Sequence, residues 1–484
     1  MSTSLKANYL FNLANTVSGL LFPLITFPYA SRILLADGIG QVNFFQSIIQ
    51  YITLLTCLGI PMYAIREIAK VREDVAQRNK VAVEILLLHA SLTVIGYILV
   101  AVLVMTVSQI QADIPLFLLL STTIFFTAIG CEWFYQGVED FKYITIRGLI
   151  VKTVSVVLLF LLVKSREDLL WYAAYSVFGV LGGNIFNFFR LRKYISFRSL
   201  PFGELRPLRH LLPALHIFVL NLVTSIYVQL NSVMLGFMAD TTAVGLFAAA
   251  GKLSHMVLGI VGALGTAMLP RLSNLIATGQ KESFNRLSQK AMQFVIAVTL
   301  PMTVGMILTS SYLIPLFCGE TYVPAVSALQ ILSPIILFIG MSNIMGIQIL
   351  YPQRQENKVI VCTALGAMAN FALNLWLIPG WSQDGAAVAT VLAEFVVTVS
   401  MIWIGRKYIP IQWLNKNYLH YLTGSLLMAV GVGVWNAFTL CRSELVNLFV
   451  ACGIGIATYF LYLVSVKDPF YLELKSIVCK YINR

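Results

Sequence analysis

Charged side chains are scarce inside the long apolar runs of this 484-residue chain, and the few that occur there could do chemistry. Arg32 lies toward the far end of the first run, Lys152 in the middle of the fifth, and Lys252 in the middle of the eighth with His255 one turn on. Glu132 falls near the end of the fourth run and Glu394 in the middle of the twelfth. An ionisable group at the centre of a bilayer costs about 2.5–3.5 kcal/mol on insertion scales, so each is a hypothesis of function by default. The bases could hold an anion, and the acids and His255 could titrate with a coupling ion. Structural roles compete: Arg32 could snorkel to the interface, Lys152 could be neutralised by an acid, and Glu132 and Glu394 could pair with Lys152 or Arg147. His255 could be a satisfied polar group. Lys252 favours the functional reading, because it ends the segment AAAGK on a glycine-rich helix where a ligand can approach the backbone.

Uncharged polar residues form stripes at helical spacing. Asn8, Asn12, Asn15 and Gly19 share one face of the first run, Asn43, Gln46, Gln50 and Thr53 one face of the second, and Asn221, Ser225, Gln229 and Ser232 one face of the seventh. Asn370 and Asn374 repeat the one-turn spacing on the eleventh. Such faces supply either hydrogen bonds between helices or the wall of a hydrated cavity. Their recurrence at matching places in two halves of the chain suits the cavity, and amides with hydroxyls suit a sugar ligand.

The elements that must position these residues are transmembrane helices. With 58% apolar residues, 11% charged and a mean hydropathy of +0.83, the polar residues could not cover a water-soluble globule of this length. The expected fold is an all-α, polytopic membrane protein. Runs of about 20 apolar residues can each span the hydrocarbon core, and fourteen are found, near 9–35, 41–64, 82–108, 114–137, 143–163, 168–190, 213–237, 243–268, 291–317, 325–350, 359–379, 385–405, 418–439 and 446–466. The first run is too long for a cleavable leader and is expected to stay as an anchor. Seven scattered cysteines show no CxxC pair and no zinc spacing, so no metal or cofactor is expected.

Basic residues crowd the even-numbered connections, from Arg66 to Lys80, Arg190 to Arg209 and Arg271 to Lys290, whereas the odd-numbered ones hold only Arg32, Lys164, Arg166 and Arg442. The positive-inside rule then puts both termini in the cytoplasm. The net charge of +12 is a consequence of topology and no argument for nucleic acid.

Two echoes divide the chain. Ala36-Asp37 followed by Phe44 returns as Ala239-Asp240 followed by Phe247, and RKYI closes both the sixth span, at Arg192, and the twelfth, at Arg406. They indicate a six-helix lobe over 1–200, a second over 201–410, and two further helices with a tail over 411–484. Six spans per copy gives copies of like orientation, an arrangement that in transporters places the substrate between lobes and moves it by alternating access. In the stretch Phe22 to Phe45, Pro23 and Pro28 interrupt the first helix, and Asp37, Gly38 and Gly40 are expected to break the chain before the second.

The segments PLITFPYASRILLADGIG, CEWFYQGVEDFKYITIR, MLGFMADTTAVGLFAAAGK and MLPRLS, in that order along fourteen spans, resemble the bacterial polysaccharide-biosynthesis transporters. These are the Wzx-type flippases of O-antigen, capsule and related repeat units, in the superfamily that includes multidrug extruders and the lipid II flippase. The resemblance implies a multi-pass protein of the bacterial plasma membrane that moves an undecaprenyl-pyrophosphate-linked oligosaccharide to the outer leaflet. It supports Arg32 and Lys252 as ligands of the pyrophosphate; Lys152 and Glu394 match no shared motif, Lys152 being a further candidate base on its position alone, and the polar faces make Asn12, Asn15, Asn43, Gln46, Asn221 and Gln229 candidate sugar contacts. It also implies a groove for the prenyl tail at spans thirteen and fourteen and a polysaccharide polymerase as a candidate partner. No GxxxxGK[ST] motif is present, so the expected drive is an H+ or Na+ gradient acting through Glu394, Glu132 or His255. A multidrug extruder is the alternative within the superfamily. A membrane-embedded glycan polymerase or ligase is disfavoured by short outer connections and by the lack of a Ser-His-Asp set or DxD-like motif, so no catalytic residue is assigned.

Overall fold

The protein is represented by a computed structural model that describes residues 5–195, 202–438 and 443–472; the side chains of residues 5–18, 20–21, 180–181, 202, 219–227, 260 and 263–267 lie outside the described set. Hydrocarbon offers no partner for a backbone N–H or C=O, so each apolar run must satisfy its own backbone as a helix. The described residues accordingly form α1 (Leu5–Cys57), α2 (Ile60–Lys70), α3 (Val75–Thr106), α4 (Ser108–Gln111), α5 (Ile114–Ile129), α6 (Glu132–Gly137), α7 (Phe141–Leu162) and α8 (Leu169–Leu191). They continue as α9 (Leu211–Met238), α10 (Thr241–Ala277), α11 (Lys281–Cys318), α12 (Ala325–Leu332), α13 (Ile335–Asn343), a π-helical stretch Ile344–Leu350, α14 (Glu356–Ile404), α15 (Lys416–Phe438) and α16 (Glu444–Ser465).

Eleven segments among the described residues are long and apolar enough to cross a membrane. Two of the longest helices hold a break. Leu35 in α1 takes φ 58°, and Ser382 in α14 takes φ 48°, so each helix supplies two of the expected spans. A non-glycine residue in that region costs about 1–3 kcal/mol and persists only where the surroundings enforce it. The first break falls two residues before the expected Asp37-Gly38-Gly40 cluster. Before it, the hydroxyls of Thr26 and Ser31 donate to the carbonyls of Phe22 and Pro28, local back-bonding beside the two prolines that lie inside the helix, Pro23 and Pro28.

Packing divides the chain into two compact units, Met1–Gly245 and Leu246–Arg484. In the first, α1 packs against α3, α5, α7 and α9, while α5 and α7 both pack against α8. An aromatic cluster of Tyr63, Trp133, Phe134 and Tyr135 closes the end that carries α2 and α6. In the second unit α11 is central, meeting α12, α13, α15 and α16, and Tyr459 of α16 donates to the carbonyl of Ala297 at 2.7 Å.

The glycine of the Ala-Asp stretch in α1 serves packing and not a turn. Its Cβ, were there one, would stand 1.7 Å from the carbonyl oxygen of Thr241, and a Cβ on Gly245 would stand 1.9 Å from that of Ala36. The start of α10 therefore lies backbone to backbone on α1, an approach that only glycine allows. Asp37 accepts from the Thr241 hydroxyl at the same place, Arg166 lies 3.7 Å from its other oxygen, and Phe44 stacks edge-on with Phe237 at 5.1 Å. The substitution Gly40→Ala is expected to destabilise the protein by about 1–3 kcal/mol through overpacking. Gly433→Ala, whose added methyl meets nothing within 4 Å, should be neutral or mildly stabilising; thermal unfolding in detergent compares the two.

Candidate functional site

In the first unit the second half of α1 carries the polar face expected of it. Asn43 and Gln46 are half-buried, and the Asn43 amide donates to the carbonyl of Ile39 at 2.7 Å. One position on, outside that stripe, the buried hydroxyl of Ser47 donates to Gln229 Oε1 at 3.1 Å, which ties α1 to the α9 stripe. The side chains of Asn12, Asn15 and Asn221 lie outside the described residues. Arg32 is exposed on the last turn of α1 before the break at Leu35.

Glu132 opens α6 and accepts from Arg147 of α7 at 3.0 Å and from Gln136 at 3.3 Å, the pairing weighed from sequence as its structural role. Lys152, one turn further along α7, is half-buried and feels the same carboxylate.

The second unit holds Lys252, His255 and Glu394. Lys252 is half-buried in the middle of α10, on a face with His255, which is exposed. Cys318, the last residue of α11, lies near Lys252. Glu394 is buried in the second half of α14, with 7% of its surface exposed. On the first half of that helix Asn370 and Asn374 are fully buried and bond to one another at 3.1 Å.

An apolar groove of about 460 Å³ runs between α11, α15 and α16, walled by Pro301, Met302 and Met306, by Met428 and Val432, and by Gly455 and Tyr459. Small residues and flexible methionines leave it open and adaptable. It lies at the spans expected to carry a tail groove.

A second polar centre in the first unit escaped sequence reading. Glu84 of α3 is fully buried, accepts from the backbone N–H of Arg206 at 2.9 Å, and is paired with Arg209 and His210 from the turn that leads into α9. His210 Nε2 stands 2.9 Å from the Glu84 carboxylate, and Nδ1 lies 2.7 Å from the Tyr63 hydroxyl. Burial, aided by the Arg209 guanidinium, pushes His210 below the ordinary imidazole value against the opposing pull of Glu84. The only sequence signal was a glutamate at the head of an apolar run. Among the described residues no three His, Cys, Asp or Glu side chains converge as a metal site would need.

Broken helices, polar stripes and a few charges at membrane depth define a polytopic transporter fold. Solved structures share it: a lipid II flippase, MurJ, in an inward closed conformation matches with a TM-score of 0.73 at 16% identity, covering 95% of this chain and 99% of that one. An inward-facing multidrug resistance MATE family transporter of the MOP superfamily matches at 0.62 and 14% identity, over 84% and 96% of the two chains. The chain belongs to the polysaccharide biosynthesis protein family, whose sequence profile matches residues 5–276. A Shigella dysenteriae protein named "Putative O-antigen transporter" is 26% identical over 79% of this chain and 95% of its own length. An Escherichia coli K12 protein of the same name is 23% identical over 84% and 97%.

A depressed folded-state pKa for His210 means that the unfolded chain binds the extra proton first. Its contribution to stability is present in full above about pH 6.5 and fades as pH falls from there toward the folded value. The midpoint of thermal unfolding should therefore drop on acidification below about pH 6.5. His210→Gln should flatten that part of the profile, which a pH series of melting curves reads directly.

Proposed function

We propose that this protein is a flippase for an undecaprenyl-pyrophosphate-linked oligosaccharide, carrying the repeat unit from the cytoplasmic to the outer leaflet of a bacterial plasma membrane. The observation that supports this most is the match to two proteins named "Putative O-antigen transporter" over 95% and 97% of their lengths, in a chain that keeps a half-buried ammonium in mid-span at Lys252. A glycan and a diphosphate cannot cross hydrocarbon unaided. A polar, cationic passage lowers that barrier while the prenyl tail stays in lipid.

In this reading Lys252 and Arg32 meet the diphosphate as charge-assisted donors, with Lys152 a further base. Asn43, Gln46 and Gln229 hydrogen-bond sugars, as do Asn12, Asn15 and Asn221. The apolar groove of α11, α15 and α16 receives the tail. The crowding of bases in the even connections argues for cytoplasmic termini. An H+ or Na+ gradient drives the cycle, with Glu394 the coupling acid because it is buried at mid-span; Glu132 and His255 are secondary candidates. A polymerase would take the product on the outer side. An extruder of cationic drugs would instead draw on acids, yet Glu84 and Glu132 are each held by an arginine. The reading is transport and not catalysis.

Lys252→Ala should reduce export at least tenfold with folded protein at the wild-type level, and Lys252→Arg should keep part of it. Accumulation of lipid-linked oligosaccharide on the cytoplasmic leaflet is the readout, and normal export by the alanine variant would remove the cationic site from the proposal. Glu394→Gln should abolish the response of transport to an imposed ion gradient. An unchanged response would take Glu394 out of the coupling step.

A further inference from the structure

A cleft of about 640 Å³ opens where the first turns of α7 meet the last turn of α8, wholly within the first unit. Lys142, Ile146 and Ile150 recur along one face of α7 with Arg147 beside them, and Arg190 and Lys193 come from the end of α8. Four bases thus line it against a single acid, Asp140. The arginines are fixed in place. Arg190 Nη2 is 2.7 Å from Asp140 Oδ2 and its guanidinium stacks 3.8 Å from the centre of the Tyr143 ring, while Arg147 reaches Glu132 behind the wall at 3.0 Å. Gly183 makes room for Arg147, since a Cβ there would stand 2.8 Å from Nε.

Neither arginine is exhausted by these contacts. Arg147 Nε and Nη1 and Arg190 Nε are buried and, among the described residues, meet no acceptor. Two fixed guanidiniums and two lysines lining one cleft make it strongly positive, which calls for an oxygen-rich anion, and phosphate supplies one. Lys142 and Lys193 stand exposed at the mouth. The opposite lip is apolar and open: Ile146, Ile150 and Phe186 are each more than 40% exposed, and the exposed row continues along α7 through Val154, Val157 and Leu161. Charge at one end and hydrocarbon along the rest is the outline of a lipid with an anionic head.

We propose that this cleft binds an anionic phospholipid, its phosphate among Arg147, Arg190, Lys142 and Lys193 and an acyl chain along Ile146, Ile150 and Phe186. A free phosphate would have no use for the apolar lip. A glycan-bearing lipid would need amides or aliphatic hydroxyls near the head, and the lining has neither. The site lies on the side that the basic connections make cytoplasmic, where basic pockets between helices meet acidic headgroups. It stands independently of the transported cargo.

The test is native mass spectrometry and thermal unfolding of the full chain with phosphatidylglycerol, phosphatidylcholine or undecaprenyl diphosphate added separately. The wild type should retain phosphatidylglycerol in preference to phosphatidylcholine and melt higher with it. Lys142→Ala combined with Lys193→Ala, at two exposed positions, should weaken that retention about tenfold or more, and Lys193→Glu alone should act in the same direction. Arg192→Ala is the control, because Arg192 lies over Phe189 and outside the cleft. Equal retention by wild type and both lysine variants would overturn the proposal. So would displacement of phosphatidylglycerol by undecaprenyl diphosphate at equal concentration, which would give the cleft to the carrier lipid.

Discussion

A buried charge in a bilayer must meet an opposite charge or a set of hydrogen bonds, and the first unit is arranged around that constraint. Glu84, Glu132 and Asp140 each receive an arginine from another element, Arg209, Arg147 and Arg190 respectively. Every pair sits near a helix end, where a long arginine can keep part of its length in the interface. Each pair also ties one helix to another. Glu84 fastens the turn before α9 to α3, and Asp140, which caps α7 through the N–H of Tyr143, fastens α8 to α7. Removing Arg209 would leave Glu84 charged and buried, which is costlier than never having had the pair.

Where charge does not hold helices together, close packing does. Hydrocarbon tails are as apolar as leucine, so helices in a membrane gain nothing from burying leucine alone and rely on fit. Gly40 and Gly245 allow α1 and α10 to touch through their backbones, and the Asp37–Thr241 bond forms where they do. The strained residue Leu35 stands just before that contact. Its left-handed backbone is understandable as the cost of aiming Asp37 and Gly40 at the start of α10, because a regular helix would carry them past it.

This also explains what could be read from sequence and what could not. Apolar runs of about twenty residues declare themselves without any tertiary information, so the class of protein and the order of spans were legible. The Glu132–Arg147 pair was in view because its members are fifteen residues apart. The break in α1 was placed two residues late, since glycine reads locally as a turn former, whereas Gly40 serves a contact some 200 residues away. The Glu84–His210 centre was invisible for a related reason. Its members are 126 residues apart, and nothing local in the sequence pairs them.

The same reasoning constrains what the groove of α11, α15 and α16 can contribute. In the proposed transport cycle a prenyl tail moving from bilayer to groove exchanges hydrocarbon for hydrocarbon, so the hydrophobic effect supplies almost no affinity. What a groove walled by Met302, Met306, Met428 and Gly455 can supply is direction: it fixes where the tail leaves the protein, and hence where a headgroup tethered to that tail can sit. Affinity for the cargo must then come from its polar end. The burden falls on the few charges and amides at membrane depth, which is why a single ammonium such as Lys252 carries more of the functional argument than the many apolar residues around it.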